Sequence, residues 1–446
     1  VVPSDGMVIR EDAVLATGVY FLPHGLSVEA DDVTLDGNGA LLIGADRQGR
    51  GVRLNGRSGV TIRNLRLSHY YHGIHAWGCR GLSLFGNQIT ATAEVPPNTV
   101  FLDIWRGPDT AYGGAILLQE VTDSRVAEND LQHQQSGLLT YSCARLDVRR
   151  NVASYNSGFG FHLFRTSDSL FEENTADYCC RFEPREGGRH YGHMGADAAG
   201  FLAVYHSCGN VFRRNTARLG GDGFFLAGLT PGGEKAGCDH NLFEENDGSL
   251  SPNIAFEATF CRGNVFRDNY ADRSNYGFWL GFSWDTVIEN NRMLMNRQAG
   301  IAVENGHGFE VRGNTFQANG HGLLLWTRHV PTFAELFPEN RTSCDWTVEG
   351  NTFTRNGKGI RIAGDQDHGI RAMPLEAAGD PAGRPRDHSV RNNDIQDNRI
   401  GIELYRADNT VVEENILHRN VEANLREDDC RNTRVRGNVG TAGGYL

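Results

Sequence analysis

Two glutamates in the middle of the chain, Glu257 and Glu304, have the residue type and spacing of a catalytic carboxylate pair. Each occupies the fourth position of a short apolar strand pattern, and one further strand, which contains Trp279, separates the two patterns. If neighbouring strands lie ~4.8 Å apart, the two glutamate backbones are ~9.6 Å apart. Inverting glycoside hydrolysis uses an acid and a base ~6.5–9.5 Å apart, so the pair predicts that reaction.

The residues around the two glutamates predict different roles for them. Glu257 is the predicted acid, because its apolar neighbours, Phe225 and Trp279 among them, raise the pKa of a carboxyl group. Glu304 is the predicted base, because Asn305 gives it a more polar setting. Three further residues are candidates for acid, base or substrate contact, although each also fits ordinary turn chemistry: Asp197, His206 and Asp222.

Aromatic side chains occupy outward-facing positions of the same strand patterns, where solvated strands usually have small polar residues. Exposed aromatic rows mark binding surfaces, and the apolar face of a sugar ring stacks on such rings. The alternative is that loops cover these side chains. The predicted substrate-binding residues are Trp77, Tyr141, His162, Arg165, Phe225, Trp279 and Trp326.

The elements that position these residues come from a repeat. Seven of the twelve steps between successive repeat asparagines are 22 or 23 residues, and insertions explain the longer steps. Units this short, with apolar alternation over four to six residues, predict stacked coils of short strands. We expect each asparagine to adopt a left-handed backbone angle and to bond its counterpart in the next coil. The repeat positions are Asn87, Asn129, Asn151, Asn174, Asn215, Asn246, Asn269, Asn291, Asn314, Asn351, Asn393, Asn415 and Asn438.

This coil pattern, together with residues 33–39 (VTLDGNG), resembles the right-handed parallel β-helix repeat proteins of the pectin-lyase-like class. That class includes polysaccharide lyases, glycoside hydrolases, uronate epimerases and NosD-like copper-site maturation proteins. The resemblance covers about residues 30 to 440 and implies an all-β fold, a single-stranded right-handed parallel β-helix of about 12–14 coils. A fold of this kind hosts several functions, so the resemblance selects no reaction.

The domain organisation follows from the repeat. Residues 1–30 are predicted to cap the solenoid, and residues 31–446 to form the β-helix. Insertions near 91–112, 181–197, 229–240, 328–344 and 364–388 interrupt the turns that flank the glycine-led strand of each coil. Long loops on one side of a rigid scaffold are where function concentrates, so we expect them to wall a cleft.

Composition excludes several partners. The net charge is −12, only two of the 43 basic residues are lysines, and no basic cluster occurs, which argues against nucleic acid. No run approaches the ~18 apolar residues of a membrane span. Nine scattered cysteines without a C-x-x-C pair favour neither a disulfide framework nor a zinc site, and they favour a cytoplasmic location unless a leader was removed. No cofactor is predicted, with calcium as the alternative that related uronate lyases suggest, and homo-oligomerisation is left open.

Three classes of function fit these observations. The favoured hypothesis is a glycoside hydrolase that acts on an oligo- or polysaccharide in a cleft on the outer face of the glycine-led strands. The second is a polysaccharide lyase or uronate epimerase, favoured by arginines near that face: Arg165, Arg328, Arg361 and Arg406. The third is a non-enzymatic carbohydrate-binding or NosD-like maturation protein, which would leave the two glutamates unused.

Overall fold

The computed structural model describes residues 1–97, 99, 101–183, 193–194, 198–364 and 383–440. Almost all regular structure in this part of the chain is short parallel β-strand, as the sequence predicts. The chain forms two compact units, Val1–Phe225 (unit 1) and Leu226–Leu446 (unit 2). In both units successive coils add strands to the same sheets, which is the construction of a parallel β-helix.

The strands of unit 1 belong to three parallel sheets. The first sheet contains Val8–Ile9, Leu26–Val28, Arg50–Asn55, His72–Trp77, Gly114–Gln119, Ser136–Tyr141, Phe159–Phe164 and Ala199–Val204. The second contains Ala13–Val14, Thr34–Asp36, Thr61–Arg63, Ser83–Phe85, Arg125–Ala127, Asp147–Arg149, Leu170–Glu172 and Val211–Arg213. The third contains Val19–Phe21, Leu41–Ile43, Arg66–Ser68 and Gln88–Thr90. An antiparallel pair, Phe182–Glu183 and His193–Met194, and the 3₁₀ helix Pro108–Thr110 lie outside these sheets.

Unit 2 repeats the same three sheets. Its first sheet contains Ile254–Thr259, Tyr276–Trp279, Ala299–Glu304, His321–Trp326, Lys358–Ala363, Ile400–Tyr405 and Ala423–Asp428. The second contains Leu242–Glu244, Val265–Arg267, Val287–Glu289, Glu310–Arg312, Thr347–Glu349, Ser389–Arg391, Val411–Glu413 and Arg434–Arg436. The third contains Arg292–Leu294, Thr315–Gln317, Thr352–Thr354, Asp394–Gln396 and Ile416–His418. The strand Asp222–Ala227 contains the division between the units, and the helices of unit 2 are Pro331–Leu336 and the 3₁₀ turn Pro338–Asn340.

Residues 1–30, which the sequence analysis assigns to a cap, contain four short strands. Val8–Ile9 pairs in parallel with Leu26–Val28, and Leu26–Val28 pairs with the next coil through Val52 and Leu54. This segment therefore has the coil pattern itself.

The interior of each unit is a set of stacked apolar columns. In unit 1, Phe161 stacks on Phe201 with ring centroids 4.6 Å apart. In unit 2, Phe256 stacks on Phe278 at 4.9 Å, and Phe316 stacks on Phe353 at 4.4 Å. Each buried phenylalanine contributes roughly 1.5–3 kcal/mol of hydrophobic stabilisation, so the columns favour in-register stacking of the coils.

The repeat asparagines form a buried hydrogen-bonded ladder, as Asn291 of unit 2 shows. Its Oδ1 accepts the backbone N–H and the side-chain amide of Asn269, both at 2.9 Å. Its Nδ2 donates to the Phe266 carbonyl at 2.9 Å and to Oδ1 of Asn314 at 3.1 Å. The predicted bond between asparagines of adjacent coils is thus confirmed, and it satisfies backbone groups that the turn would otherwise leave buried and unpaired.

The predicted left-handed backbone lies one residue earlier than the asparagine. Asp268 and Asn290, which precede the ladder residues Asn269 and Asn291, have φ of 56° each, whereas the ladder residues have negative φ. A second ladder, which the sequence analysis missed, lies five residues further along in the later coils of unit 2 and contains Asn296, Asn319, Asn356, Asn398 and Asn420. Asn296 Nδ2, for example, donates to Asn319 Oδ1 at 3.0 Å.

A column of alternating charge runs along the second sheet of unit 2. Arg267 Nη2 contacts Glu244 at 2.6 Å, and Arg312 Nε contacts Glu289 at 2.8 Å, so carboxylates and guanidinium groups alternate from strand to strand. Partly exposed pairs of this kind each contribute little to stability. In register, the column is Glu244, Arg267, Glu289, Arg312, Glu349, Arg391, Glu413 and Arg436.

Removal of one ladder side chain should cost far more than removal of a half-buried asparagine outside the ladder. We expect Asn291→Ala to lower the free energy of unfolding by about 3 kcal/mol or more, because it leaves several buried donors and acceptors unpaired at ~1–3 kcal/mol each. Urea denaturation measures the change. The matched control is Asn275→Ala, since Asn275 bonds only the exposed Arg297 side chain. Equal losses in the two variants would contradict a supporting role for the ladder.

Candidate functional site

The strand that carries Glu257 has a register different from the predicted one. The sequence analysis aligns Asn253 with Gly277, but Ile254 pairs with Tyr276, and Glu257 pairs with Trp279. No glycine marks the start of this strand, so its apolar alternation fits two registers. The stacking of Phe256 on Phe278 selects the register that the structure has.

The two glutamates therefore do not share a column. Glu257 is level with Trp279 and Ala302, whereas Glu304 lies two residues further along its strand and is level with Trp326. Two coils and two residues separate the backbones by ~12 Å. This exceeds the ~9.6 Å on which the inverting mechanism was based, so the geometric argument for that mechanism is wrong.

Most of the predicted aromatic row is buried rather than exposed. Trp279 and Trp326 have exposed fractions of 3% and 5%, and Tyr141, His162 and Phe225 are also buried. Trp77 is the exception, with 48% of its surface exposed. The expectation that these side chains present an open sugar platform is thus wrong for all but Trp77, and the alternative of covered side chains holds.

In unit 1 the 91–112 insertion provides part of the cover. Leu102, Ile104 and Tyr112 of this segment are buried, and the Tyr112 ring lies 6.3 Å from Phe159 of the first sheet. Arg181 holds the segment through hydrogen bonds from its guanidinium to the carbonyls of residues 96 and 99, at 3.2 and 2.7 Å. The loop is therefore packed onto the sheet face that the favoured hypothesis of the sequence analysis has exposed to solvent.

In unit 2 the two tryptophans of the predicted aromatic row belong to a buried apolar cluster. The Trp279 ring contacts those of Tyr276 and Trp326, with centroids 4.9 and 5.3 Å apart. The Glu304 side chain packs against Gly281. A Cβ atom added at that glycine would lie only 3.2 Å from the Glu304 Cγ. Its carboxylate is 3.7 Å from Nη1 of Arg328, the first residue of the 328–344 insertion. Glu304 is thus a buried carboxylate with a cationic partner from the insertion.

The other predicted catalytic residues differ in their exposure. Glu257 is half-buried, Asp222 is buried at the start of its strand, and His206 is exposed in a turn with φ of 59°. Arg165 is exposed and lies over the Tyr205 ring, 5.2 Å from its centroid. Asp197 lies outside the described residues. The roles assigned to these residues stay predictions.

A polar pocket of about 290 Å³ lies on the outer face of the first sheet in the C-terminal coils of unit 2. Its centre is Glu403, which contacts the Lys358 ammonium, Nε of Arg361 at 2.8 Å and Nη1 of Arg426 at 3.7 Å. Three cationic side chains thus converge on one largely buried carboxylate. The lining residues are Lys358, Arg361, Glu403, Leu404, Tyr405, Arg426 and Asp428.

The electrostatics of this pocket fix the protonation of Glu403. Burial raises the pKa of its carboxyl group, but the contacts with Lys358 and Arg361 more than offset this effect, so the pKa lies below its usual value. Glu403 is therefore an anion that holds the two cations in place. The sequence analysis noted Arg361 as a lyase-like feature but missed Lys358, although one of only two lysines in a chain rich in arginine was an available signal.

Potential metal ligands are not clustered in the described part of the chain. It contains no group of three or more His, Cys, Asp or Glu side chains that could hold a metal ion. Across these same residues, no helix has the length and apolar character needed to cross a membrane.

Burial predicts that Trp279 supports the fold while Trp77 does not. We expect Trp279→Ala to lower the free energy of unfolding by ~3–5 kcal/mol, as for other large-to-small changes in a core. Trp77→Ala, the matched control, should change it by less than ~1 kcal/mol, because that ring is already half in water. Thermal melts of the two variants test the difference, and a stable Trp279→Ala protein would show that the cluster is not a core.

His162 should make unit 1 sensitive to acid. Burial lowers its pKa from 6.5 to about 4, so the unfolded chain takes up a proton more readily than the folded protein. The stabilising contribution of neutral His162, ~3 kcal/mol, is complete above pH ~6.5 and is lost as the pH falls towards ~4. We expect His162→Leu, which copies its in-register neighbours Leu139 and Leu202, to reduce the fall in melting temperature between pH ~7 and pH ~5. An unchanged pH dependence would contradict this assignment.

Comparison with solved structures finds likenesses that span much of the chain. The A-module of a mannuronan C-5 epimerase from Azotobacter vinelandii is 14% identical, with 98% of this chain and 92% of that chain covered and a TM-score of 0.44. The Dettilon tailspike protein is 13% identical over 68% of this chain and 60% of that one, with a TM-score of 0.43. The DFA-IIIase of Arthrobacter chlorophenolicus A6 is 11% identical over 61% and 67%, with a TM-score of 0.35. Likenesses this distant carry no argument about function.

No curated protein matches the chain significantly. A family model does match, and its description is "Right handed beta helix region". The matches cover residues 17–217, 98–251, 202–335 and 339–444, which together include most of the sequence. They agree with the parallel strand pairing of both units and supply the handedness that the family resemblance implies. The chain belongs to the right-handed β-helix family.

Proposed function

We propose that this protein is a carbohydrate-active enzyme that acts on a uronic oligo- or polysaccharide in the pocket around Glu403. The observation that carries the proposal is the convergence of Lys358, Arg361 and Arg426 on a single buried carboxylate in an open pocket. Arginine binds carboxylates through paired, charge-assisted hydrogen bonds, so a sugar carboxylate is the ligand group that fits this lining best.

The net charge of the chain does not oppose this proposal. Recognition depends on the local potential rather than on the total of −12, and the pocket has three cations against Glu403 and the rim residue Asp428. Arg361 also belongs to the set of arginines near the outer face that favours a lyase or epimerase over a hydrolase. In addition, the buried contacts with Glu403 hold these cations in place before a substrate binds.

The lining residues suit a reaction that starts with removal of the proton from the sugar carbon next to the carboxylate. In lyases and epimerases of uronates, removal of that proton places negative charge on the sugar carboxylate, and cationic side chains stabilise it. Arg361 and Arg426 would supply this stabilisation. Tyr405, whose side chain also lines the pocket, is the proposed proton-transfer residue, because Glu403 is engaged with cations and its lowered pKa makes it a weak base.

Product analysis separates the candidate reactions. The protein is incubated with polymers of galacturonate, mannuronate and guluronate and with neutral glycans. Absorbance of an unsaturated product identifies a lyase, and a changed C5 configuration in proton NMR without chain cleavage identifies an epimerase. New reducing ends on saturated products, lost in both Glu257→Gln and Glu304→Gln, would instead establish the hydrolase. Binding without turnover would favour the non-enzymatic class.

Two substitutions test the assigned roles. We expect Tyr405→Phe to lower turnover at least ~100-fold while the substrate still binds, as for the loss of an acid–base group. Arg426→Gln should raise KM, because it removes a charge that binds the substrate carboxylate, and lower kcat, because the negative charge on that carboxylate grows in the transition state. The matched control is Arg434→Gln, an exposed arginine of the second sheet in the same unit. Wild-type kinetics in both pocket variants would contradict the proposed site.

A further inference from the structure

The N-terminal coils of unit 1 leave the outer face of the first sheet open. A groove of about 580 Å³ lies there, lined by Ser27, Val28, Glu29, Arg53, Asn55 and Arg57. These residues come from the strands Leu26–Val28 and Arg50–Asn55 and the turns that follow them, so a rigid sheet positions the groove. It is separate from the pocket around Glu403, which belongs to unit 2.

The exposed Trp77 stands at the border of this groove. It is level with Asn55 on the adjacent strand, and its ring is 48% exposed, unlike the other tryptophans of the predicted row. His75 is level with Arg53 and is oriented by a 2.5 Å hydrogen bond to Gln119. An exposed indole next to fixed polar side chains can stack on a ligand ring while the polar side chains hydrogen-bond the substituents of that ring.

Arg53 has no carboxylate within ion-pair distance in the part of the chain that the structure describes, and the same is true of Arg50. Other arginines at this end of unit 1 are paired: Arg10 contacts Glu29 at 2.6 Å, and Arg57 contacts Asp31 at 3.5 Å. Burial and the charge of Arg53 lower the pKa of Arg50, as expected for a cation with a second cation nearby. The site thus has a positive charge that an anionic ligand would neutralise.

We propose that this groove is a second, non-catalytic binding site for a carboxylated saccharide. The sugar ring stacks on Trp77, its carboxylate binds the Arg53 guanidinium with support from Arg50, and Asn55 and Ser27 bond its hydroxyl groups. A polyphosphate ligand fits less well, because Glu29 lines the same groove and the chain has no basic cluster. This site goes beyond the proposed function, since it binds a substrate chain away from the pocket in which that chain reacts.

The test uses isothermal titration calorimetry on the full chain with Tyr405→Phe and Arg426→Gln already introduced. In this background, binding by the pocket of unit 2 is weakened, so the remaining signal reports the groove. The probes are tetrasaccharides of galacturonate, mannuronate and guluronate, together with the fully methyl-esterified galacturonate tetrasaccharide, which keeps the ring but loses the charge. We expect at least one acidic probe to bind, and the methyl ester to bind at least ~10-fold more weakly.

Substitutions in the groove should then remove the binding. Arg53→Gln and Trp77→Ala are each expected to weaken the affinity at least ~10-fold. The matched controls are Arg125→Gln, an exposed arginine of the second sheet, and Phe21→Ala, an exposed aromatic residue of the third sheet, both in unit 1. Neither control should alter the affinity.

The outcomes separate this inference from the proposed function. Loss of binding in Arg53→Gln and Trp77→Ala, with intact controls, supports the groove whether or not the pocket of unit 2 turns over a substrate. Unchanged affinity in both groove variants overturns it, even if the pocket proves active. Equal affinity for the methyl ester, absence of binding by all three acidic probes, or tighter binding of an oligothymidylate through the same residues also overturns it.

Discussion

The hydrogen bonding of buried backbone groups at the turns is the constraint on which the structure depends. Each coil closes through a tight turn that brings peptide groups into the interior, where water cannot reach them. The ladder asparagines solve this problem with one side chain, because Oδ1 accepts from the coil on one side while Nδ2 donates to a carbonyl and to the next asparagine. The residue before each asparagine takes the left-handed angle that the turn requires. The rest of the coil is then free to vary.

That freedom appears on the outer face of the first sheet. The same positions of successive coils carry an aromatic cluster, an ion-paired glutamate or a set of cations, while the inward positions stay apolar. Insertions modify this face further. The 91–112 segment covers it in unit 1, whereas the N-terminal coils of that unit and the C-terminal coils of unit 2 keep open, charged surfaces. Function on this scaffold therefore depends on which stretch of the face is left uncovered.

The sequence predicts the repeat better than it predicts the face. The asparagine spacing and the apolar alternation are local patterns, so the all-β coil and its ladder follow from them. The register at Glu257 does not, because no glycine marks that strand and the contact that decides it, Phe256 on Phe278, joins two coils. The burial of Trp279 could not be predicted either, because alternation shows only that a side chain points away from the core. Whether another segment then covers it depends on tertiary packing. Lys358 was overlooked for a similar reason, since its partner Glu403 is 45 residues away in sequence.

The charge column on the second sheet of unit 2 bears on how a repetitive chain finds its correct neighbours. Inward residues of different coils are nearly interchangeable, so the core alone distinguishes poorly between a correct stacking and one displaced by a whole coil. In the column from Glu244 to Arg436 the sign changes at every strand, so a displacement by one coil would place like charges side by side. Such contacts are unfavourable. A displacement by two coils would restore the alternation. The column therefore disfavours stacking errors of an odd number of coils, whereas errors of an even number are opposed only by the unequal lengths of the insertions.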